Sequence, residues 1–389
     1  MFRGFSLLFL LVATYASGQS TWTLQRCVDK AYQNNISIQQ GYLSNQVAEI
    51  NTDAAFWSMM PNLNGSATHG YNWGQTIDRF TNQFATERIR SNSFGLQTGI
   101  VLFNGFQLRN SYEQSKINLE KSEADLLKVK NDVALNVVVA YLNLLLTREF
   151  LAVAESTRDA TSTQVSRIEK LVNAGALPQG SLDEINAQLA SDEANMISTR
   201  NNVDLAKLSL TQLLLLTPEE AAGFDVTVPE IEDVSGIQLP PDAQAALAYA
   251  LTSFPEIKSA DAAVESAQLG VDIARGGQYP TLSASFSYGT GYSGAAKQPV
   301  GDPVLSDPFP IGYTQDTFIP VLSQQFTYTD YETIPFEQQV ENNVNQSLFF
   351  SLQIPIFNGL STNSNIQRSR INAMNAEYQS QLVRQQLTQ

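Results

Sequence analysis

The sequence predicts an α+β membrane protein made of two repeats, each running helix, strand, strand and helix. Three observations support this fold class. The chain matches itself at a nearly constant offset, which is the mark of an internal repeat. In each copy the hydrophobic period changes from 3.6 to 2 after a proline, so a helix is followed by strands. A long helical hairpin then follows the strands of the first copy.

The repeat is visible as pairs of matching residues. The offset is 219 positions through the first helix and strand of each copy and 254 positions from about residue 93 onward. Prolines, Asn-Gly pairs and apolar residues match in the same order: Ala31 with Ala250, Pro61 with Pro280, Asn104 with Asn358, and Gly105 with Gly359. The change of offset predicts an insertion in the second copy, roughly at 294–345, which we expect to be a long extracellular loop.

The N-terminus has the composition of a secretory signal peptide. Arg3 precedes a short apolar run at 5–12, and Ala16 and Gly18 occupy the small-residue positions of a cleavage site. We therefore expect 1–18 to be removed. No later run of 18 or more apolar residues occurs, so the sequence predicts no transmembrane helix and any membrane contact would be made by strands.

The domain organisation follows from the repeat. Repeat 1 spans 19–216 and an acidic, proline-containing linker spans 217–241, followed by repeat 2 at 242–389. Repeat 2 ends at the position that matches residue 135, so the stretch equivalent to about 136–214, which would hold the second hairpin and its tip, is missing from it. We expect the chain to be a fragment of a longer protein.

Composition excludes several classes of function. The chain has 23 Lys and Arg against 38 Asp and Glu, a net charge of −15, which argues against a nucleic-acid partner. One Cys and one His disfavour a disulfide framework, a zinc centre and a His-paired nucleophile. We expect Cys27 to be a buried helix residue. The sequence predicts no enzyme, no cofactor and no metal.

Four segments alternate between apolar and small or polar residues, at about 62–73, 93–103, 281–292 and 347–357. Such segments of about ten residues are typical of membrane β-barrels, whose outward side chains face lipid. The lipid-facing set predicted from the alternation is Phe94, Leu96, Ile100, Leu102, Leu348, Phe350, Leu352 and Ile354. A soluble β-sandwich with one wet face is the alternative.

Four strands cannot close a barrel, and open sheet edges are not tolerated in lipid. Several copies must therefore pool their strands. A dimer would supply eight strands, whose interior is filled by side chains, whereas a trimer would supply 12 and leave a lumen. We favour a homotrimer.

The helical segments are read from apolar spacing and caps. We predict single helices at about 24–56 and 243–275, each ending shortly before a proline. The hairpin at 106–215 shows coiled-coil-like spacing on both arms. Ser181, with Glu184 three residues on, is predicted to cap the second arm.

Together these features resemble the TolC-type outer-membrane efflux and secretion channel family. The resemblance rests on the signal peptide, the two repeats, the proline before a strand, Phe-Asn-Gly at the strand-to-helix joint, and the hairpin turn Asn-Ala-Gly-Ala-Leu-Pro. It covers essentially the whole mature chain. The resemblance implies a trimer whose 12-stranded barrel lies in the outer membrane of a Gram-negative bacterium and continues into a long α-helical periplasmic barrel. It also implies export of small molecules or polypeptides, with docking to a periplasmic adaptor and an inner-membrane pump.

Two sets of residues acquire expected roles from this resemblance. The strand-to-helix and helix-to-strand joints are Pro61, Pro280, Asn104, Gly105, Asn358 and Gly359. The hairpin tip, expected to meet the adaptor, comprises Gly175, Ala176, Leu177, Pro178 and Leu182. The alternative function is a non-conducting coiled-coil protein of the outer membrane with a structural or adhesive role.

Overall fold

The computed structural model describes residues 21–78, 80–82, 84–85, 88–228 and 242–388. The predicted signal peptide and most of the linker lie outside these residues. The first repeat contains, in chain order, β1 (Thr21–Trp22), α1 (Leu24–Asn34), α2 (Ile36–Trp57), β2 (Asn62–Asn72), β3 (Thr76–Ile77), β4 (Phe84–Ala85), β5 (Ile89–Phe103), α3 (Gln107–Asn173) and α4 (Gln179–Leu213).

The second repeat follows two short elements, α5 (Pro218–Ala222) and β6 (Asp225–Val226), at the start of the predicted linker. Its elements are α6 (Ala243–Ser253), α7 (Pro255–Gly276), β7 (Thr281–Ser293), β8 (Lys297–Val300), β9 (Val304–Leu305), β10 (Phe309–Tyr313), β11 (Pro320–Ser323), β12 (Phe326–Thr327), β13 (Asp330–Thr333), α8 (Phe336–Asn342), β14 (Asn345–Gln353) and α9 (Ser361–Thr388). The predicted order of helix, strand, strand and helix is confirmed in both repeats.

The four long strands form one antiparallel sheet in the order β14, β7, β5, β2. The central pair joins β5 of the first repeat to β7 of the second, so the repeats share a single sheet. Within the described residues, the outer edges of β2 and β14 have no strand partner.

The register separates the sheet into an apolar face and a polar face, because directly paired residues of antiparallel strands lie on the same side. Leu96 lies opposite Gly65 and Tyr288, and Leu348 lies opposite Phe286. The apolar face includes Leu63, Leu96, Phe286, Tyr288, Leu348 and Phe350. The polar face includes Asn64, Ser66, Gln97, Ser285, Ser287 and Ser347.

The predicted single helices at the start of each repeat are wrong, because each is broken into two. The breaks fall at Asn35 and Phe254, which are 219 positions apart and both have extended backbone. Phe254 precedes Pro255, which disfavours helical backbone before it. Asn35 reaches the same conformation through its side chain, whose Oδ1 accepts the Ser37 N–H at 2.9 Å.

Contacts divide the chain into two units, and these do not coincide with the sequence repeats. One falls within Met1–Asn51, Lys116–Ser266 and Asn375–Gln389, and the other within Thr52–Ser115 and Ala267–Met374. The first unit is mainly helical. The second contains the sheet, and it draws on both repeats because their strands pair with each other.

The core of the helical unit lies where α1, α2, α3 and α4 meet the β1–β6 pair. On α3 it uses the predicted apolar spacing, with Val137, Tyr141 and Leu144 fully buried. Cys27 is also fully buried, as predicted, and burial raises the pKa of its thiol to about 11. The Tyr141 hydroxyl donates to the carbonyl oxygens of Trp22, at 3.0 Å, and Thr227, at 2.5 Å.

Helix α3 contains a segment that is apolar enough, by length and composition, to cross a membrane. We predicted no such helix from the sequence, because no unbroken run of 18 apolar residues occurs there. We assign α3 from Lys116 onward to the helical unit, because its fully buried residues belong to the core of that unit.

The insertion of the second repeat is not an irregular loop. Its strands pair as nested antiparallel hairpins: β8 with β13, β9 with β12, and β10 with β11. The start of the predicted linker is also ordered, since β6 pairs in parallel with β1.

Candidate functional site

The predicted lipid-facing side chains of the paired strands share the apolar face. Phe94, Leu96 and Ile100 on β5 lie opposite Thr290, Tyr288 and Ala284 of β7. Leu348, Phe350 and Leu352 on β14 lie opposite Phe286, Ala284 and Leu282. Those on β14 are 59–66% exposed, so a continuous apolar surface lies uncovered along this edge of the chain.

Two members of the predicted set depart from this arrangement. A register shift between Val101 and Phe103 leaves Leu102 without a direct partner, and Phe103 instead lies opposite Leu282. Such a bulge cannot be read from simple alternation. Ile354 lies beyond β14, which ends at Gln353, and it precedes Pro355, a residue that has no N–H for a sheet ladder.

The joints keep the same backbone in both repeats. Pro61 and Pro280 stand immediately before β2 and β7. Gly105 and Phe106 have φ of 64° and 63°, and the matching Gly359 and Leu360 both have φ of 63°. The Asn-Gly pair marks each joint in the sequence, whereas the second left-handed residue of each joint, Phe106 or Leu360, is of a type that does not mark such backbone.

The strand-to-helix joint of the first repeat, at Asn104 and Gly105, is packed, whereas the joint of the second repeat, at Asn358 and Gly359, is exposed. A Cβ on Gly105 would lie 2.3 Å from the Gly276 carbonyl oxygen, and Gln107 Nε2 donates to the Ile273 carbonyl at 3.0 Å. A Cβ on Gly359 would meet no atom within 4 Å. In the described chain, only the first joint therefore has its packing partner.

The hairpin tip is a tight helix end. Gly175 has φ of 73°, the Ala176 N–H bonds the Leu171 carbonyl at 2.8 Å, and the Gly175 N–H bonds the Val172 carbonyl at 2.9 Å. This is the Schellman pattern that ends helices at glycine. Gly175, Ala176 and Pro178 are exposed, while Leu177 and Leu182 are half-buried.

The predicted Ser181 cap is wrong. Helix α4 begins at Gln179, two residues earlier, with Pro178 as its N-cap residue and no side-chain cap. Ser181 lies inside the first turn, where its N–H bonds the Pro178 carbonyl at 3.1 Å.

A buried hydrogen-bonded cluster ties the loops together at the end of the sheet that is remote from the joints. Asp78 Oδ2 accepts the Ser293 hydroxyl at 2.5 Å, and Asp78 Oδ1 accepts the Thr81 N–H at 2.8 Å. Gln339 Oε1 accepts the Ser293 N–H, and Gln339 Nε2 donates to the Ser293 carbonyl, at 2.9 and 3.0 Å. The cluster thus links the first-repeat loop to β7 and α8. No local sequence signal predicts this cluster, because Asp78 and Ser293 are 215 residues apart.

The same loop touches the polar face. A Cβ on Gly291, a polar-face position of β7, would lie 2.1 Å from Cζ of Phe80. Only glycine therefore admits the Phe80 ring here. On the apolar face, Phe336 of α8 packs on Tyr292 with ring centroids 5.5 Å apart.

We expect Asp78→Asn to lower stability at neutral pH by about 1–3 kcal/mol, the cost of disrupting a buried hydrogen-bonded group. Burial alone raises the pKa of the Asp78 carboxyl, but the hydrogen bonds from Ser293, Thr81 and Phe80 outweigh burial and hold the pKa below its ordinary value of 3.8. The carboxylate therefore stabilises the fold above that value, and its contribution disappears as the pH falls through the lowered pKa. Thermal unfolding in detergent at several pH values tests this expectation. The exposed Asp302→Asn serves as control, and equal losses for both variants would contradict it.

The sheet, with its segregated faces and open edges, and the long helical hairpin define a fold class in which membrane-type strands are combined with long helices. The profile of the family described as "Outer membrane efflux protein" matches residues 27–214. The outer membrane efflux protein BepC of Brucella suis biovar 1 (strain 1330) is 24% identical over 285 residues, which cover 72% of this chain and 58% of BepC. The chain thus spans little more than half the length of that relative.

Solved structures show the same fold. The CmeC outer membrane channel of Campylobacter jejuni has a TM-score of 0.71 and 18% identity, and the match covers 92% of this chain and 66% of CmeC. The outer membrane protein VceC of Vibrio cholerae has a TM-score of 0.69 and 16% identity, over 93% of this chain and 75% of VceC. Residues 27–214, just under half of the chain, are thus similar to the outer membrane efflux protein family, and the described chain shares its fold with these solved structures.

Proposed function

We propose that this chain assembles as a homotrimer into an outer-membrane channel, and that the channel is the exit duct of a tripartite efflux or type I secretion system for small molecules or polypeptides. The observation that carries the proposal is the sheet. One face is apolar enough for lipid, the other is polar enough for water, and both edges are open.

The internal repeat supports closure by further copies. Within the chain, the second strand of repeat 1 pairs with the first strand of repeat 2. If the second strand of repeat 2 pairs in the same way with the first strand of the following repeat, β14 pairs with β2 of the next copy. The open second joint agrees with this, since Ile356 and Phe357 are 94% and 83% exposed while the first joint is packed. Three copies supply 12 strands, enough to leave a lumen.

The long helix also presents a surface for a neighbour. A stripe of apolar side chains on α3 lies outside the core, is 49–63% exposed and has the three- and four-residue spacing of a coiled-coil seam: Leu135, Val139, Leu142, Leu146, Phe150 and Val153. Helices of adjacent copies packed along this seam would form the proposed periplasmic helical barrel. At about 1.5 Å per residue, the 67 residues of α3 extend about 100 Å.

We further propose that the hairpin tip docks onto a periplasmic adaptor, which connects the channel to an inner-membrane pump. The exposed Pro178 and half-buried Leu177 place apolar surface at the end of the hairpin. An apolar surface in an exposed position is typical of a protein-binding site.

The test combines the source bacterium with the purified protein. Deleting the gene is expected to raise the accumulation of a fluorescent efflux dye, and the wild-type gene is expected to restore export. Leu177→Asp is expected not to restore export, because a charge at the tip opposes apolar docking. The purified variant should still conduct ions in a planar lipid bilayer at the wild-type level.

The outcomes separate the proposals. A wild-type protein that inserts into bilayers and conducts nothing would contradict the channel and favour the non-conducting structural or adhesive role. A Leu177→Asp variant that exports dye normally would contradict docking through the tip and leave the channel in place.

A further inference from the structure

The polar face of the sheet carries no charged side chain in β2, β5, β7 or β14. Most of its residues are Ser, Thr, Asn, Gln or Gly. In the proposed trimer this face lines the lumen within the membrane, so the wall there consists mainly of small and polar side chains, except near Gly291, where the Phe80 ring lies against it.

Phe349 interrupts this wall. It is the central residue of the nine-residue strand β14, its direct partner across the sheet is Ser285, and its neighbours on the same face of β14 are Ser347 and Ser351. Phe349 is 63% exposed, because β14 has a strand partner on one side only and the partner residue there, Ser285, is small. Val101 on β5, another exposed apolar side chain of this face, is smaller and is 39% exposed.

The register determines the face of the sheet on which Phe349 lies. Leu348 and Phe350 pair with Phe286 and Ala284 on the apolar face. A shift of one residue would move Phe349 to that face, but it would carry Leu348 and Phe350 into the polar one. The phenyl ring therefore belongs to the lumen side, where nothing in the described chain covers it.

The edge strand expected beside β14 in the next copy does not cover it either. The polar-face residues of β2 are uncharged and small or medium in size: Asn62, Asn64, Ser66, Thr68, Gly70 and Asn72. A phenyl ring beside such a strand has no apolar pocket to enter, so it remains directed into the lumen.

We propose that the three Phe349 side chains of the trimer form an aromatic constriction at mid-height of the barrel, which impedes hydrated ions and favours the passage of solutes with apolar surface. Apolar narrowings in pores resist wetting and so hinder ions more than apolar solutes. This inference rests on the proposed trimeric channel and adds a selectivity element to it.

Single-channel conductance in planar bilayers tests the constriction. Phe349→Ala is expected to raise the potassium chloride conductance by about twofold, because removing an apolar narrowing eases its wetting. The matched control is Phe350→Ala, which removes the same ring from the lipid side and should leave conductance unchanged. A conductance of Phe349→Ala equal to that of the wild type and the control would overturn the constriction as a barrier to ions.

A second measurement tests independently whether residue 349 faces the conducting lumen. Phe349→Cys and Phe350→Cys are compared after addition of a charged, water-soluble thiol reagent. The native Cys27 is fully buried and burial raises the pKa of its thiol to about 11, so it contributes little background. The reagent should reduce the current of Phe349→Cys alone.

The results distinguish the inference from the channel on which it rests. A wild-type protein without conductance overturns both. A conducting wild type whose Phe349→Cys variant is unaffected by the reagent overturns the constriction only.

Discussion

Gly105→Ala is expected to prevent the chain from reaching its native fold, with a loss of stability above about 3 kcal/mol. Two costs add at this residue. Its φ of 64° is a left-handed conformation that disfavours any side chain, and a Cβ would lie 2.3 Å from the Gly276 carbonyl oxygen and 2.9 Å from Cβ of Tyr279. Backbone atoms cannot rotate away, so the joint between β5 and α3 must move. The yield of folded protein in the outer-membrane fraction and thermal unfolding in detergent measure the effect.

Gly175→Ala is the matched control. Gly175 has φ of 73°, close to that of Gly105, but a Cβ there would meet nothing within 4 Å. The control should therefore lose only the conformational preference for glycine, about 1–2 kcal/mol. Similar losses for the two variants would show that the contact with Gly276 contributes nothing.

Tyr141→Ala is expected to destabilise the helical unit by about 3–5 kcal/mol, the usual cost of removing a large buried aromatic side chain. Tyr141 is fully buried in the core. Its hydroxyl also holds the Thr227 carbonyl, just after β6, and the Trp22 carbonyl of β1, so the loss should loosen the β1–β6 pair. Thermal unfolding followed by circular dichroism at the helical band measures the change.

Tyr141→Phe separates packing from hydrogen bonding. The ring remains, so the expected loss falls to about 1–2 kcal/mol for the lost hydrogen bonds. Tyr249, which is 66% exposed on α6, provides the control in Tyr249→Ala. If Tyr141→Ala loses no more stability than Tyr249→Ala, the role of Tyr141 in the core is contradicted.

Local signals explain what could be predicted. The change from helical to strand period, the glycines of the joints and the buried spacing of Val137, Tyr141 and Leu144 depend on residues close together in the chain. The two repeats were found by matching distant segments of the sequence, without any tertiary contact. A strand exposes alternate residues to opposite faces whatever its partner, and a helix does the same at 3.6 residues. The spacing of apolar residues can therefore be read from the sequence without knowledge of any tertiary contact.

Local signals predict only one of the two breaks in the first helical segments of the repeats. Pro255 marks the break at Phe254 directly, because proline restricts the residue before it. No comparable signal stands beside Asn35. Its side chain accepts a hydrogen bond from the Ser37 N–H, but an asparagine can also adopt ordinary helical backbone, so the residue type alone does not predict a break. The available signal for a break at Asn35 was the break at the matching residue of the second repeat, Phe254.

Tertiary structure alone decided the rest. Asp78 meets Ser293 across 215 residues, and β1 pairs with β6 across a similar separation. The bulge at Leu102 and the placement of Phe349 beside Ser285 likewise depend on which strands become neighbours. A periodic pattern states which face of a segment is apolar, but it does not state which distant segment will pack against it. That choice is made by the packing of the whole chain, where the cost of ordering distant segments is offset by the contacts they make.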